Sequence, residues 1–206
     1  MDFFFTVDKE YSGEITEKRS RFIAVLHPVS SVDEAWEVIN NIRKIHRDAR
    51  HNVYAYSLRD GTFRFSDDGE PHGTAGKPLM DILNGENITD AVLVVTRYFG
   101  GVLLGPGGLM RAYSDAAKQA VDSAYKIKLT KCTEIEIECP YNERAKIVYF
   151  ASGYNAIENG SEFAENVKMK FIITTDKTED FVSAFNEAFA MKAKIITTKE
   201  DFFNIL

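Results

Sequence analysis

The run AVLVVTRYF, Ala91 to Phe99, is apolar at almost every position until Thr96-Arg97. An unbroken apolar stretch of this length is the pattern of a strand covered on both faces. After a glycine-rich link the period changes. Leu109, Ala112, Tyr113, Ala116, Ala117, Ala120, Val121 and Ala124 recur three and four residues apart, while Arg111, Asp115, Lys118 and Asp122 fall on the opposite face. That spacing predicts a core helix, and its alanines predict a close approach to a sheet. Upstream, GEITEKRSRFIAVLHPV (Gly13 to Val29) is strand-like and ends in a proline. Ser31 and Glu34 then form an S-x-x-E capping pattern ahead of Ala35, Ile39, Ile42 and His46 at helical spacing. HNVYAYSLRD alternates and reaches the turn pair Asp60-Gly61 before TFRFS, which predicts a hairpin. Pro78 fits the first turn of a short helix through Leu79, Met80, Ile82 and Leu83, ended by Asn84-Gly85.

The style of the chain changes after Tyr125, with no glycine until Gly153. KLTKCTEIEIECP reads as a strand and YNERAKIVYFASG as a short helix closed by Gly153. YNAIEN and EFAENVKMKFIITT read as two strands separated at Asn159-Gly160. DKTEDFVSAFNEAFA is amphipathic through Phe181, Ala184, Phe185, Ala188 and Phe189, and AKIITTKEDFFNIL supplies a last strand. The order βαββαβ within about 80 residues predicts a split-βαβ, ferredoxin-like domain. The expected class is therefore α+β in two domains, residues 1–126 and 127–206, with a short boundary near Tyr125 to Lys128.

Composition narrows the function classes. The 206 residues are 45% hydrophobic, with 15 Phe and 9 Tyr, which is ample for buried cores and excludes large-scale disorder. A net charge of -6 argues against wrapping nucleic acid over the whole surface but leaves room for a local basic patch. Cys132 and Cys139 lie on one predicted strand at an odd separation, hence on opposite faces. Strand geometry puts them roughly 23 Å apart, beyond disulfide reach. The start of the chain lacks a basic, apolar leader, and no apolar run approaches the roughly 20 residues that span a bilayer. A cytoplasmic protein with no membrane partner is expected.

Three stretches carry candidate chemistry. In SDDGEPHGTAG (Ser66 to Gly76), Asp67, Asp68 and Glu70 have the chemistry to share Mg²⁺ or to act as acid and base, but an acidic turn around Asp68-Gly69 is the better reading. RYFGGVLLGPGGLMRAY (Arg97 to Tyr113) passes from strand to helix through five glycines. Free amides at a helix start hold anions. No Gly-Lys-Ser/Thr is present, however, and Met110 stands where a dinucleotide fingerprint needs glycine. The better reading is that the same glycines serve positive φ and close packing, with the anion site and a protein contact as the alternatives. RKIHRDARHN gathers Arg43, Lys44, Arg47 and Arg50 beside His46 and His51. Cations at a helix end are what the dipole favours, and with Lys18, Arg19 and Arg21 they are also nucleic-acid candidates. No H-x-x-x-H, H-E-x-x-H or paired C-x-x-C pattern supports a metal site, and Ser66 and Ser114 lack a nucleophile-elbow setting. No catalytic residue, metal or cofactor is expected.

SRFIA, HNVYAY, SDDGEPHGTAGKP and VVTRYFGGVLLGPGGLMRAY, in this order and spacing across residues 13–125, resemble the YigZ/IMPACT family. The family often has Ala-Thr-His-Asn where this chain has Ala49-Arg50-His51-Asn52, so a hydroxyl role is lost there. By element order, the C-terminal region resembles the ferredoxin-like domain that follows in bacterial YigZ-type members. The resemblance implies an N-terminal domain with the fold of ribosomal protein S5 domain 2, and a C-terminal domain similar to the last domain of elongation factor G. Eukaryotic relatives regulate translation, damping the amino-acid-starvation kinase pathway by competing for its activator. Bacterial members lack that pathway.

The resulting expectation is a noncatalytic, translation-associated regulatory protein that binds RNA, the ribosome or a translation factor, with no DNA partner. Its binding surface is expected where the two glycine-rich loops meet. That surface comprises Asp67, Asp68, Gly69, Glu70, Gly73, Thr74, Gly76, Arg97, Tyr98, Gly100, Gly101, Gly105, Gly107, Gly108 and Arg111. Arg19, Arg21, Arg43, Lys44, Arg47, Arg50 and His51 are the nucleic-acid candidates. The alternative is a small enzyme acting on a phosphorylated ligand at the glycine loops, with Mg²⁺ held by Asp67 and Asp68.

Overall fold

A computed structural model describes residues 2–205. They divide into two compact units: Phe4–Ile127, and a second unit that runs from Lys128 onward and includes the first residues up to Phe3. Both sheets are built of antiparallel pairs, and the class is α+β.

The first unit contains most of β1 (Phe3–Val7), then β2 (Tyr11–Glu17), β3 (Ser20–Pro28), α1 (Val32–Ile45), β4 (His51–Ser57), β5 (Phe63–Ser66), α2 (Gly76–Gly85), β6 (Ala91–Tyr98) and α3 (Pro106–Ser123). Its sheet is ordered β2-β3-β6-β4-β5. Central β6 is apolar from Ala91 to Val95 because it alternates there between two cores rather than between core and water. Val92 and Val94 pack in one cluster with Ala35, Ile39 and Ile42 of α1. Ala91, Leu93 and Val95 pack in the other with Leu79 and Leu83 of α2 and the alanine face of α3. The sheet is thus sandwiched, with α1 on one side and α2 with α3 on the other. Each large aliphatic side chain fully buried this way contributes about 1.5–3 kcal/mol.

The alanines of α3 do bring it close to the sheet. A Cβ on Gly13 of β2 would lie 2.6 Å from the Ala120 backbone nitrogen, so only glycine fits beneath that helix. At the start of α1, Ser31 Oγ accepts from the Glu34 amide at 3.2 Å, while the Glu34 carboxylate reaches back to the Ser30 amide rather than to the cap residue itself. β2 and β3 are joined by a tight turn in which Lys18 and Arg19 both have positive φ.

The second unit holds most of β7 (Lys126–Cys139), then α4 (Arg144–Ser152), β8 (Ile157–Phe163), β9 (Val167–Thr174), a 3-10 turn (Thr175–Lys177), α5 (Thr178–Phe189) and β10 (Lys194–Phe203). In its sheet β7 lies between β10 and β9, and β9 between β7 and β8. Ile135, Ile137, Met169 and Phe171 pack against Ile147 of α4 and Phe181, Phe185 and Phe189 of α5. The alternate residues form the other face. There Glu136 and Glu138 of β7 stand opposite Lys170 and Lys168 of β9, and Lys194 Nζ lies 2.8 Å from Glu138. Asn159-Gly160 is not a boundary between strands. It is a bulge inside β8, where the register shifts between Glu158 and Ser161, and the chain reverses at Ala164–Asn166 instead. Gly160 has φ of +132°, a freedom that serves a bulge as well as a turn, and an edge strand with one neighbour accommodates the extra residue.

Cys139 lies in the second unit's core and Cys132 is buried outside that cluster; both are free thiols whose pKa burial pushes up. Among the described residues no helix is long and apolar enough to cross a membrane.

Candidate functional site

The acidic loop after β5 is built from inside the fold. Asp67 accepts from the amides of Gly73 (2.8 Å), Ala75 (3.0 Å) and Gly76 (2.8 Å). Ala75 is the N-cap of α2 and offers no capping side chain, so Asp67 caps that helix from well upstream of its first turn. Asp68 adopts a positive φ followed by positive-φ Gly69, the turn its sequence announced. Its carboxylate accepts from Arg43 (2.9 Å) and from the Asn52 amide (2.7 Å). His51 Nδ1 donates to the Asp68 carbonyl at 2.8 Å, which fixes the ring's tautomer. Both carboxylate oxygens of Asp67, and both of Asp68, are therefore occupied by donors. Among the described residues no group of three or more His, Cys, Asp and Glu could hold a metal ion.

Glu70 is the centre of a buried cluster. Its side chain is 3% exposed, and Oε1 accepts from Arg97 Nη1 at 2.7 Å and from the Tyr113 hydroxyl at 2.9 Å, with His51 Nε2 at 3.8 Å. The Arg97 guanidinium lies 5.5 Å from the Phe22 ring and 5.4 Å from the Phe99 ring, and its buried Nε has no hydrogen-bond partner. Burial and the Glu70 carboxylate push the Tyr113 hydroxyl's pKa well up, so it stays a donor. The two loops singled out in the sequence thus meet through Glu70 and Arg97. Tyr113 completes them, and sequence reasoning missed it by counting it as one more apolar rung of the α3 ladder. A tyrosine among buried alanines was the available signal, since a buried hydroxyl needs a partner.

The nucleic-acid candidates and the glycine loops converge on one end of the sheet, where β3 and β4 begin, β6 ends, α1 stops and α3 starts. His51 pairs with Arg97, and Arg21 with Tyr98, across the strands. Gly100 lies against the β2–β3 turn so tightly that a Cβ there would fall 2.0 Å from the Arg19 carbonyl carbon. Of the candidates, Arg21 pairs with Glu14 and Arg43 with Asp68. Lys18, Arg19, Lys44, Arg47, Arg50 and Arg111 are exposed and, among the described residues, have no carboxylate partner. Thr74 and Gly76 are buried, and Gly73, Gly108, Tyr98 and Gly100 are half-buried. Gly69, Gly101, Gly105 and Gly107 face solvent.

Between the loops lies a cleft of about 320 Å³, lined by polar groups of Arg50, Glu70 and Arg97 and by apolar ones of Phe99, Leu103 and Leu109. Leu104 lines both this cleft and a neighbouring one of about 150 Å³ that Lys18 and Arg111 share. Leu103 is 81% exposed, and Phe99, Val102 and Met110 are exposed around it.

His46, at the end of α1, places Nδ1 2.9 Å from the Tyr98 hydroxyl. Burial first, and the charge of Arg21 second, push its pKa below the usual 6.5. Proton uptake by His46 is therefore harder in the folded than in the unfolded chain. Its contribution to stability is complete above about pH 6.5 and is lost as pH falls through the lowered folded value. A His46→Gln variant is expected to show a flatter fall of unfolding midpoint between pH 7 and pH 5 than the parent protein. Equal slopes in fluorescence-monitored melts would count against this role.

Residues 18–121 match the family model described as the Impact N-terminal domain. The chain is 34% identical over 180 residues to the IMPACT family member YvyE of Bacillus subtilis (strain 168), covering 86% of this chain and 83% of that protein. It is 34% identical over 168 residues to the IMPACT family member YigZ of Escherichia coli (strain K12), covering 80% and 82% respectively. A solved structure described as that of a hypothetical protein aligns with 98% of this chain and 100% of its own, with TM-score 0.64 and 28% identity.

Proposed function

The chain belongs to the IMPACT family, and from that premise we propose that it is a translation-associated regulatory protein that works by binding and performs no chemistry of its own. One observation carries this reading. Every carboxylate of the acidic loop is held by donors inside the fold, while the same end presents apolar side chains and unpaired cations to solvent. That is a surface for contact, without the nucleophile and base that catalysis needs. The translational assignment rests on the family, whose eukaryotic members act there, and a cytoplasmic location goes with it. We assign the first unit to the S5 domain 2 fold and the second to the ferredoxin-like fold. The order β7-α4-β8-β9-α5-β10, with β10 beside β7 and β9 between β7 and β8, supports the second assignment.

RNA is the less favoured partner. The open face of the second unit's sheet alternates Glu134, Glu136 and Glu138 with lysines and offers phosphates no surplus of positive charge. The isolated chain is expected to bind RNA at about micromolar affinity or weaker at physiological salt.

The test is recovery of partners by the tagged, full chain from lysate, beside an Arg50→Glu/Arg111→Glu variant. Ribosomes or a translation factor should be recovered by the parent protein and lost from the variant. Identical recovery by both, or steady hydrolysis of a phosphorylated substrate by the pure protein, would overturn the proposal.

A further inference from the structure

Resting on that binding reading, we infer that the open end of the first unit docks a protein segment in which an apolar anchor side chain is flanked by carboxylates. The anchor has a place to go. The cleft of about 320 Å³ is of a size for one or two side chains, and its apolar wall is supplied by Phe99, Leu103 and Leu109. Leu103 is 81% exposed at its mouth, an aliphatic group that the fold leaves uncovered although the first unit's core lies next to it. Arg97 and Glu70 in the same cleft neutralise each other, so the anchor meets no unpaired charge there apart from Arg50.

Charge decides what flanks the anchor. At this end Lys18, Arg19, Lys44, Arg47, Arg50 and Arg111 are exposed and, among the described residues, have no carboxylate partner, whereas the exposed acids among them, apart from the Glu14 that Arg21 pairs, are Glu17, Asp48 and Asp115. Glu17 and Asp115 line the second cleft and offset Lys18 and Arg111 there. The surplus therefore lies on the Arg50 side, next to the first cleft, with Arg19 against Gly100 nearby. In a molecule of net charge -6 this is a local reversal of sign, and a partner bearing carboxylates is steered to it.

The same geometry disfavours RNA as occupant. Nucleic-acid surfaces combine cations along a backbone track with aromatic faces on which bases stack. Here an aliphatic ridge of Val102, Leu103 and Leu104 interrupts the cations. Phe99 already has the Arg97 guanidinium over its ring.

Fluorescein-labelled ten-residue peptides, each with one Leu or Phe among Asp, Glu and Gly, are titrated into the full chain and followed by anisotropy. Matched peptides carry Ala at the anchor position or Lys in place of the acids, and a ten-nucleotide oligouridine is the competing probe. The Leu and Phe acidic peptides should bind, and replacement of the anchor by Ala should weaken binding by about tenfold, as for a buried hot-spot group. Leu103→Ser and Arg50→Glu in the protein should each weaken it by a similar factor, and methyl resonances of Val102, Leu103 and Leu104 should shift on titration. Both substituted side chains are exposed, and unchanged Trp36 fluorescence verifies that the variants are folded. Peptide binding indifferent to both substitutions would overturn the inference. So would oligouridine binding that is tighter than every peptide and lost in Arg50→Glu; that result would leave the broader binding reading standing, which is decided by the lysate recovery and the hydrolysis assay instead.

Discussion

Glu70→Ala is expected to cost about 3–5 kcal/mol of stability in the first unit, the range for removing one partner of a buried ion pair. With typical domains stable by about 5–15 kcal/mol, that is a large share of the whole. The magnitude follows from what remains rather than from what leaves. Arg97, with a side chain 7% exposed, would keep its charge between the Phe22 and Phe99 rings with no carboxylate beside it, and the Tyr113 hydroxyl would lose its acceptor. The chain's single tryptophan, Trp36, sits in the first unit and packs edge-on against Tyr54 at 5.4 Å. Denaturant titration followed by its fluorescence therefore reports on the unit concerned. Adding Arg97→Met to Glu70→Ala should restore some of the loss, because an apolar group of similar length removes the orphaned charge. Tyr113→Phe alone should cost less, about 1.5–3 kcal/mol, the range for one hydrogen bond to a charged group. A loss below about 1 kcal/mol for Glu70→Ala would mean the pair is not the electrostatic centre of this loop junction.

Much of the first unit was legible because its elements are locally consistent. The β6 run, the α3 ladder, the Ser31–Glu34 cap and the Asp60-Gly61 turn each agree with the structure, because propensity, periodicity and tertiary packing favour the same outcome. The Asn159-Gly160 pair was not decidable from its neighbours, since a bulge and a turn call for the same backbone freedom, and only the pairing of β8 with β9 chooses between them. The acidic loop shows a second limit. Three carboxylates within four residues invite a metal or catalytic reading, yet their partners come from Arg43, Asn52, Gly73, Ala75, Gly76, Arg97 and Tyr113. Hydrogen bonds over such separations leave no period in a sequence. What the sequence did expose was the meeting of the two loops, expected from the way both combine turn residues with a few polar side chains; that Glu70 and Arg97 make the junction is visible only in the structure.

Asp67→Ala is expected to be the second large loss, about 2–4 kcal/mol. An ordinary N-cap is worth about 1 kcal/mol and up to 2. Asp67 does more than cap, because it accepts three amides at once through a charged group and so ties Gly73, Ala75 and Gly76 to the end of β5. Its side chain is 14% exposed, so water only partly replaces the carboxylate when it is removed. Asp67→Asn separates the contributions. Oδ1 serves both Ala75 and Gly76, so an asparagine carbonyl at that position keeps two acceptor contacts. Oδ2 serves Gly73, and an amide NH₂ there would set donor against donor. Asn should therefore cost less than Ala, about 1–2 kcal/mol, with the damage confined to Gly73. Hydrogen exchange supplies the local readout. In Asp67→Ala the amides of Gly73, Ala75 and Gly76 should all exchange faster, whereas in Asp67→Asn only that of Gly73 should. Unaltered exchange at all three amides in Asp67→Ala, with an unchanged Trp36 transition, would show that α2 begins without help from this carboxylate. It would also return Asp67 to the surface as a group free to meet a partner.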